Sequence, residues 1–197
     1  NYEAIQTTGK NSTGVLAQTI AGGGGFTGIT TGNALSLGST ISGNSSSNAG
    51  DVTLSNKAFI NTIGVTSAAL IAQSVGGGGG ASASNSESSI RMGSISTTTD
   101  IANLPVIKSG NIVVANSASL STNSAGSVGL LVQSISGGGG YIAITGTSAN
   151  NDILIGSKGE FESTAGFVTV NNTANAITTS GNYSPALVAQ SVGGGGG

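Results

Sequence analysis

Cysteine, histidine and tryptophan do not occur in this 197-residue chain, and proline occurs only twice. Without cysteine there is no disulfide framework and no thiol nucleophile. Without cysteine or histidine, the usual zinc sites and a histidine general base are excluded as well. Charged residues make up 6% of the chain and aromatic residues 4%. Five Lys/Arg against seven Asp/Glu leave a formal charge of −2. That is too little positive charge to neutralise a phosphate backbone, so no nucleic-acid partner is expected. No apolar run approaches the roughly 20 residues that span a bilayer, so this segment is not expected to insert into a membrane directly. The opening NYEAIQTTGKN lacks the basic and then apolar stretch of a secretion signal.

The chain is instead built from small side chains, with 35 glycines and abundant Ser, Thr and Asn. It is nevertheless 37% hydrophobic with a mean hydropathy of +0.22, unlike the apolar-poor, highly charged composition of disordered chains. The apolar residues are mostly Val, Ile, Leu and Ala. These suit a sheet with a narrow interior, in which Phe or Trp would not fit.

Internal repetition organises the sequence. Four segments align without gaps: GVLAQTIAGGGG (14–25), ALIAQSVGGGGG (69–80), GLLVQSISGGGG (129–140) and ALVAQSVGGGGG (186–197). The segments GDVTLSNKAFINT (50–62), GNIVVANSASLST (110–122) and GFVTVNNTANAIT (166–178) recur ahead of them, and ALSLGS (34–39), SIRMGS (89–94) and DILIGS (152–157) form a weaker third set. The pairs Val52 and Leu54, Ile112 and Val114, and Val168 and Val170 alternate with polar or small residues, as in strands with one buried face. Helical spacing is nowhere sustained.

Each unit of about 57 residues thus holds three strand-bearing segments. Division by three gives coils of about 19 residues, and the expected fold is all-β, a parallel β-helix (β-solenoid) with about three coils per repeat. Stacked coils bury what one coil cannot. At about 4.8 Å per coil, ten coils make a rod of about 50 Å. Residues 1–197 read as a single continuous solenoid segment. The stretch begins inside one repeat and stops after a glycine run with no polar cap, so a fragment of a longer repetitive protein is expected.

The motif [A/G]-[L/V]-x-[A/V]-Q-[S/T]-[I/V]-x-G-G-G-G resembles the recurring AQSIGGGGG element of large bacterial autotransporter passenger regions. The resemblance implies a right-handed β-helix on the bacterial cell surface, extracellular and tethered to the outer membrane through a C-terminal β-barrel outside these residues. It further implies a non-catalytic structural or adhesive role in adhesion, aggregation or biofilm formation. The partners would be host or bacterial surface glycans or proteins, or other copies in self-association. A polysaccharide-active β-helix enzyme is the alternative, which would need clustered acidic or basic groups in a groove; an ice- or surface-binding solenoid would need a flat threonine array.

The candidate site is a repeated surface stripe formed by Gln18, Gly22, Gly23, Gln73, Gly77, Gly78, Gln133, Gly137, Gly138, Gln190, Gly193 and Gly194. Recurring every third coil, its glycine runs would be spaced roughly 14 Å apart on one side. The runs are read as tight turns; a phosphate-binding nest would normally need a following helix and a lysine. The motif glutamines either point inward, where their amides must be satisfied, or face out beside the stripe towards a sugar. Alternation does not decide, because the columns on both sides are apolar: Leu16, Ile71, Leu131 and Val188 in one, Val15, Leu70, Leu130 and Leu187 in the other. Three-coil spacing would forbid a glutamine ladder, and Asn56, Asn116 and Asn172 are likewise read as turn residues. The carboxylates Glu3, Asp51, Glu87, Asp100, Asp152, Glu160 and Glu162 are scattered, with Glu160 and Glu162 beside Lys158 the one local cluster, read as solvated. No cofactor or metal is expected. The aromatics Tyr2, Phe26, Tyr141 and Tyr183 are dispersed, although Phe26 and Tyr141 share the position after a glycine run.

Overall fold

The computed structural model describes residues 1–30, 35–42, 45–84, 89–144 and 153–194. They form 22 strands and no helix, joined entirely in parallel ladders. The fold is a parallel β-solenoid. Its first winding carries β1 (Ile5–Thr7), β2 (Val15–Ile20), β3 (Gly25–Thr30), β4 (Leu35–Leu37), β5 (Thr40–Ile41), β6 (Ser46–Asn48) and β7 (Val52–Asn56). The second carries β8 (Ile60–Thr62), β9 (Leu70–Val75), β10 (Gly80–Ser84), β11 (Ile90–Met92), β12 (Ile95–Ser96), β13 (Val106–Lys108) and β14 (Ile112–Asn116). The third carries β15 (Leu120–Thr122), β16 (Leu130–Ile135), β17 (Gly140–Ile144), β18 (Ile153–Ile155), β19 (Glu162–Thr164) and β20 (Val168–Asn172). The fourth begins with β21 (Ile177–Thr179) and β22 (Leu187–Val192).

The winding number differs from the expectation of three coils per repeat. Gln18 lies beside Gln73, Gln73 beside Gln133, and Gln133 beside Gln190 in neighbouring strands of one sheet. One winding therefore consumes one whole repeat of about 57 residues. The three segment types are strands on different walls of the same coil, not successive coils. The physical reason lies in what parallel pairing rewards: equivalent side chains meet best when identical segments are stacked, and only the full repeat brings identity into register. The described stack is two to four strands deep, depending on the sheet. Its rise is thus roughly 15–20 Å rather than 50 Å.

A coil this wide does not enclose a single narrow column. The sheet β2-β9-β16-β22 runs through the interior and is buried on both faces in its central strands. On one face Leu70, Ala72, Leu130 and Val132 pack with Val52, Leu54, Ile112 and Val114. On the other, Ile71 and Leu131 pack with Ala81, against which Phe26 and Tyr141 lie. A smaller cluster of Leu37, Ile90 and Met92 fills the far end. In the strands β7 and β14 every second side chain is buried, as their alternation predicted.

Candidate functional site

Residues Ile71, Gln73 and Val75 share one face of β9, the face towards β10, because side chains alternate along a strand. The glutamine is thereby carried into the interior, and both Gln73 and Gln133 are 0% exposed. Amide meets amide from winding to winding, Gln18 to Gln73 at 2.5 Å, Gln73 to Gln133 at 2.7 Å and Gln133 to Gln190 at 2.6 Å. Swinging the amides round together keeps these contacts and lets Gln133 also donate to the Gly80 carbonyl (3.2 Å) and accept from the Tyr141 N–H (3.1 Å). That arrangement uses both hydrogens and both acceptor positions of the buried amide. The ladder that three-coil spacing would have forbidden exists, because the glutamines are one winding apart.

Three further polar columns follow the same logic. Asn1, Asn56, Asn116 and Asn172 form a second amide ladder with contacts of 2.8, 2.7 and 2.7 Å, and Asn56 and Asn116 are buried at strand ends, not displayed in turns. The serines Ser67, Ser127 and Ser184 each accept through the hydroxyl from the backbone N–H one winding back, that of Ser12, Ser67 and Ser127 respectively (2.9, 3.0 and 3.0 Å). Asn111 N–H donates to the Asp51 carboxylate (2.7 Å) and Phe167 N–H to the Asn111 carbonyl (2.9 Å).

The proposed surface stripe is corrected by this arrangement. Gln73, Gly77, Gly78, Gln133, Gly137 and Gly138 are all buried. Gln18, Gly22, Gly23, Gln190 and Gly194 are partly covered and Gly193 is exposed, all in the first or last winding. Gly195–Gly197 lie outside the described residues, as do Glu87 and Asp152. The glycine run is an inner wall. Gly78 forms an antiparallel bridge with Gly38, and Gly138 with Gly93, so backbone meets backbone across the coil. A Cβ on Gly78 would sit 2.9 Å from both the Gly38 Cα and the Ser94 nitrogen. The weaker third motif, LGS, MGS and IGS, is the opposite wall: Ser94 donates to the Gly77 carbonyl and Ser157 to that of Gly137. An anion nest is not available in this run. The N–H groups of Gly76, Gly77, Gly79 and Gly80 donate to the carbonyls of Ile135, Ser136, Leu37 and Gly139.

What the surface does offer is an aromatic groove. Tyr141, Ile142, Ala143, Tyr183, Ser184 and Pro185 line a groove of about 550 Å³ along β17, the edge strand of its sheet. The two tyrosines stood 42 positions apart with no signal joining them; the fold brings them together, and Tyr141 Oη donates to the Tyr183 carbonyl (3.1 Å). Burial pushes the Tyr141 phenol up from its ordinary pKa. Tyr183 sits at a left-handed backbone position (φ 55°), in the same turn column as Asn11, Thr66 and Gly126. The groove can stack a ring but carries no carboxylate.

The acidic residues do not converge. Among the described residues no group of three or more His, Cys, Asp or Glu could hold a metal ion. Glu160 and Glu162 are exposed in the third winding. Asp100 is exposed and accepts from Asn103 Nδ2 (2.8 Å) and Ala102 N–H (3.0 Å), in that order the causes that hold its pKa below the ordinary 3.8. A lowered folded value means that the turn's contribution is complete above the ordinary pKa and is lost as the pH falls through the folded one. Carboxyl NMR titration should place the Asp100 midpoint below 3.8, and Asn103→Ala should move it upward.

Comparison with protein-family models, with curated proteins and with solved structures gives no match to this chain.

Proposed function

We infer that the chain is a non-catalytic rod segment of a bacterial surface protein of the autotransporter type. It would be displayed outside the outer membrane by parts beyond these residues. One observation carries the reading. Buried glutamine and asparagine amides take their partners from the equivalent residue one winding on, so the fold is specified for extension by repetition. Such a rod acts through geometry. It holds weak contact points at fixed intervals, and a tethered array of weak contacts gains through effective concentration. Glycans or proteins of host or bacterial surfaces are the proposed partners, in adhesion, aggregation or biofilm formation. The Tyr141–Tyr183 groove is the face best suited to stacking a sugar ring.

Beads carrying many copies should bind a glycan array, or aggregate with bacterial cells, at least about tenfold more strongly than the free chain. Tyr183→Ala should weaken the glycan component. Release of new sugar ends from a polysaccharide incubated with the chain would overturn the non-catalytic reading. Binding that does not rise with valency would overturn the adhesive one.

A further inference from the structure

We propose that this chain associates head to tail with a second copy of itself, β1 and β2 of one copy pairing in register with β21 and β22 of the other. The inner windings show what the contact looks like. β9 and β16 pair residue for residue, Leu70 on Leu130 and Gln73 on Gln133, and their columns are fully covered. The two ends present the halves of that same contact. At one, Leu16 and Ile20 are 47% and 44% exposed; at the other, Leu187 is 45% exposed. Their column mates Ile71, Val75 and Leu130 are 0% exposed. Continuing the register would set Leu187 beside Val15 and Val188 beside Leu16 of the next copy, and Ile177–Thr179 beside Ile5–Thr7.

The polar columns select this partner over an arbitrary apolar one. A ladder of amides leaves a donor at one end and an acceptor at the other, in whichever sense the amides are turned. Gln190 and Asn172 at the last winding therefore complement Gln18 and Asn1 at the first. The serine column does the same, since Ser184 N–H continues the line that would reach Ser12 Oγ. Because the two surfaces differ, the contact is heterologous and does not close into a two-fold dimer; further copies add in a line. It is also partial. With β1 and β2 seated, β17 to β20 remain about one rung, roughly 4.8 Å, short of the next copy's β3 to β7. Association is accordingly weak, setting in over roughly 10 µM to 1 mM.

The test blocks one end at a time. Leu16→Lys and Leu187→Lys each place a charge in a column that the next winding would bury, while both positions stand half-exposed in the free chain. Sedimentation velocity on the unaltered chain should show a mass that rises with concentration. Each variant alone should stay monomeric. An equimolar mixture should give a dimer and nothing longer, since one free head meets one free tail. Circular dichroism checks that both variants are folded. An unaltered chain that remains monomeric at 1 mM would overturn the proposal, and so would a mixture that gives no dimer. Association of either variant as strong as that of the unaltered chain would mean sideways contact and would overturn it too. The inference does not depend on the adhesive reading. Repeating the bead assay with the doubly blocked chain, Leu16→Lys with Leu187→Lys, separates failure of the one from failure of the other.

Discussion

Gly79→Ala should lower the stability of the chain by about 3–4 kcal/mol, the largest effect expected of any single methyl group. Two independent costs add. Gly79 has φ +99°, where an L side chain carries a penalty of about 1–2 kcal/mol. Its new Cβ would also collide with the Gly139 carbonyl, and would lie 3.0 Å from the Gly139 nitrogen and 3.1 Å from Ile135 Cγ2. Gly139 cannot give way easily, because its own N–H is committed to Met92 and its carbonyl to Gly80. Forcing extra volume into such a site costs about 1–3 kcal/mol. A drop of roughly 10 °C in melting temperature follows for a domain of this size, read by circular dichroism. Gly193→Ala is the control. A Cβ there meets only the Ser163 carbonyl, at 3.9 Å, and the change should stay within about 0.5 kcal/mol. Equal effects at the two positions would show that the run is a loose turn and not an inner wall.

The second large effect is expected at the glutamine ladder. Gln133→Leu keeps much of the volume but removes the partner of two amides at once. Gln73, wholly buried, is left with one side unsatisfied, while Gln190 is half-covered and can turn to water. A buried polar group stripped of its partner costs about 1–3 kcal/mol. With the loss of the contacts to Gly80 and Tyr141, the total should reach about 3 kcal/mol. Gln190→Leu, at the last winding, should cost about 1 kcal/mol. Replacing Gln73 and Gln133 together should cost clearly less than the sum of the single changes, because no amide then remains stranded between two apolar neighbours. Urea unfolding of the four proteins supplies the double-mutant cycle. Strict additivity would mean that the amides do not act through one another.

Both effects rest on features whose residues stood out in the sequence and whose roles did not. The equal spacing of the four glutamine segments was enough to predict strands, their parallel direction and a stacked architecture. The alternation of Val52, Leu54 and Asn56 was enough to show which face of β7 is inward. The size of a winding was not legible in this way. Strand-like segments recur three times per repeat, so coils of 19 or of 57 residues both satisfied the local pattern. Only the pairing of whole identical segments distinguishes them. The direction of the glutamines was hidden for a related reason. Period-two alternation reveals orientation only when one face of a strand is wet, and β9 and β16 are buried on both.

By itself, the amino-acid sequence determined the all-β class, the repeat and the register in which its copies meet, since those depend on which side chains recur and at what interval. Tertiary structure decided that polyglycine lines an interior wall, that LGS, MGS and IGS face it, and that Tyr141 meets Tyr183. These are contacts across the coil between segments that share no pattern. They follow from where the chain closes on itself, and no local periodicity records that.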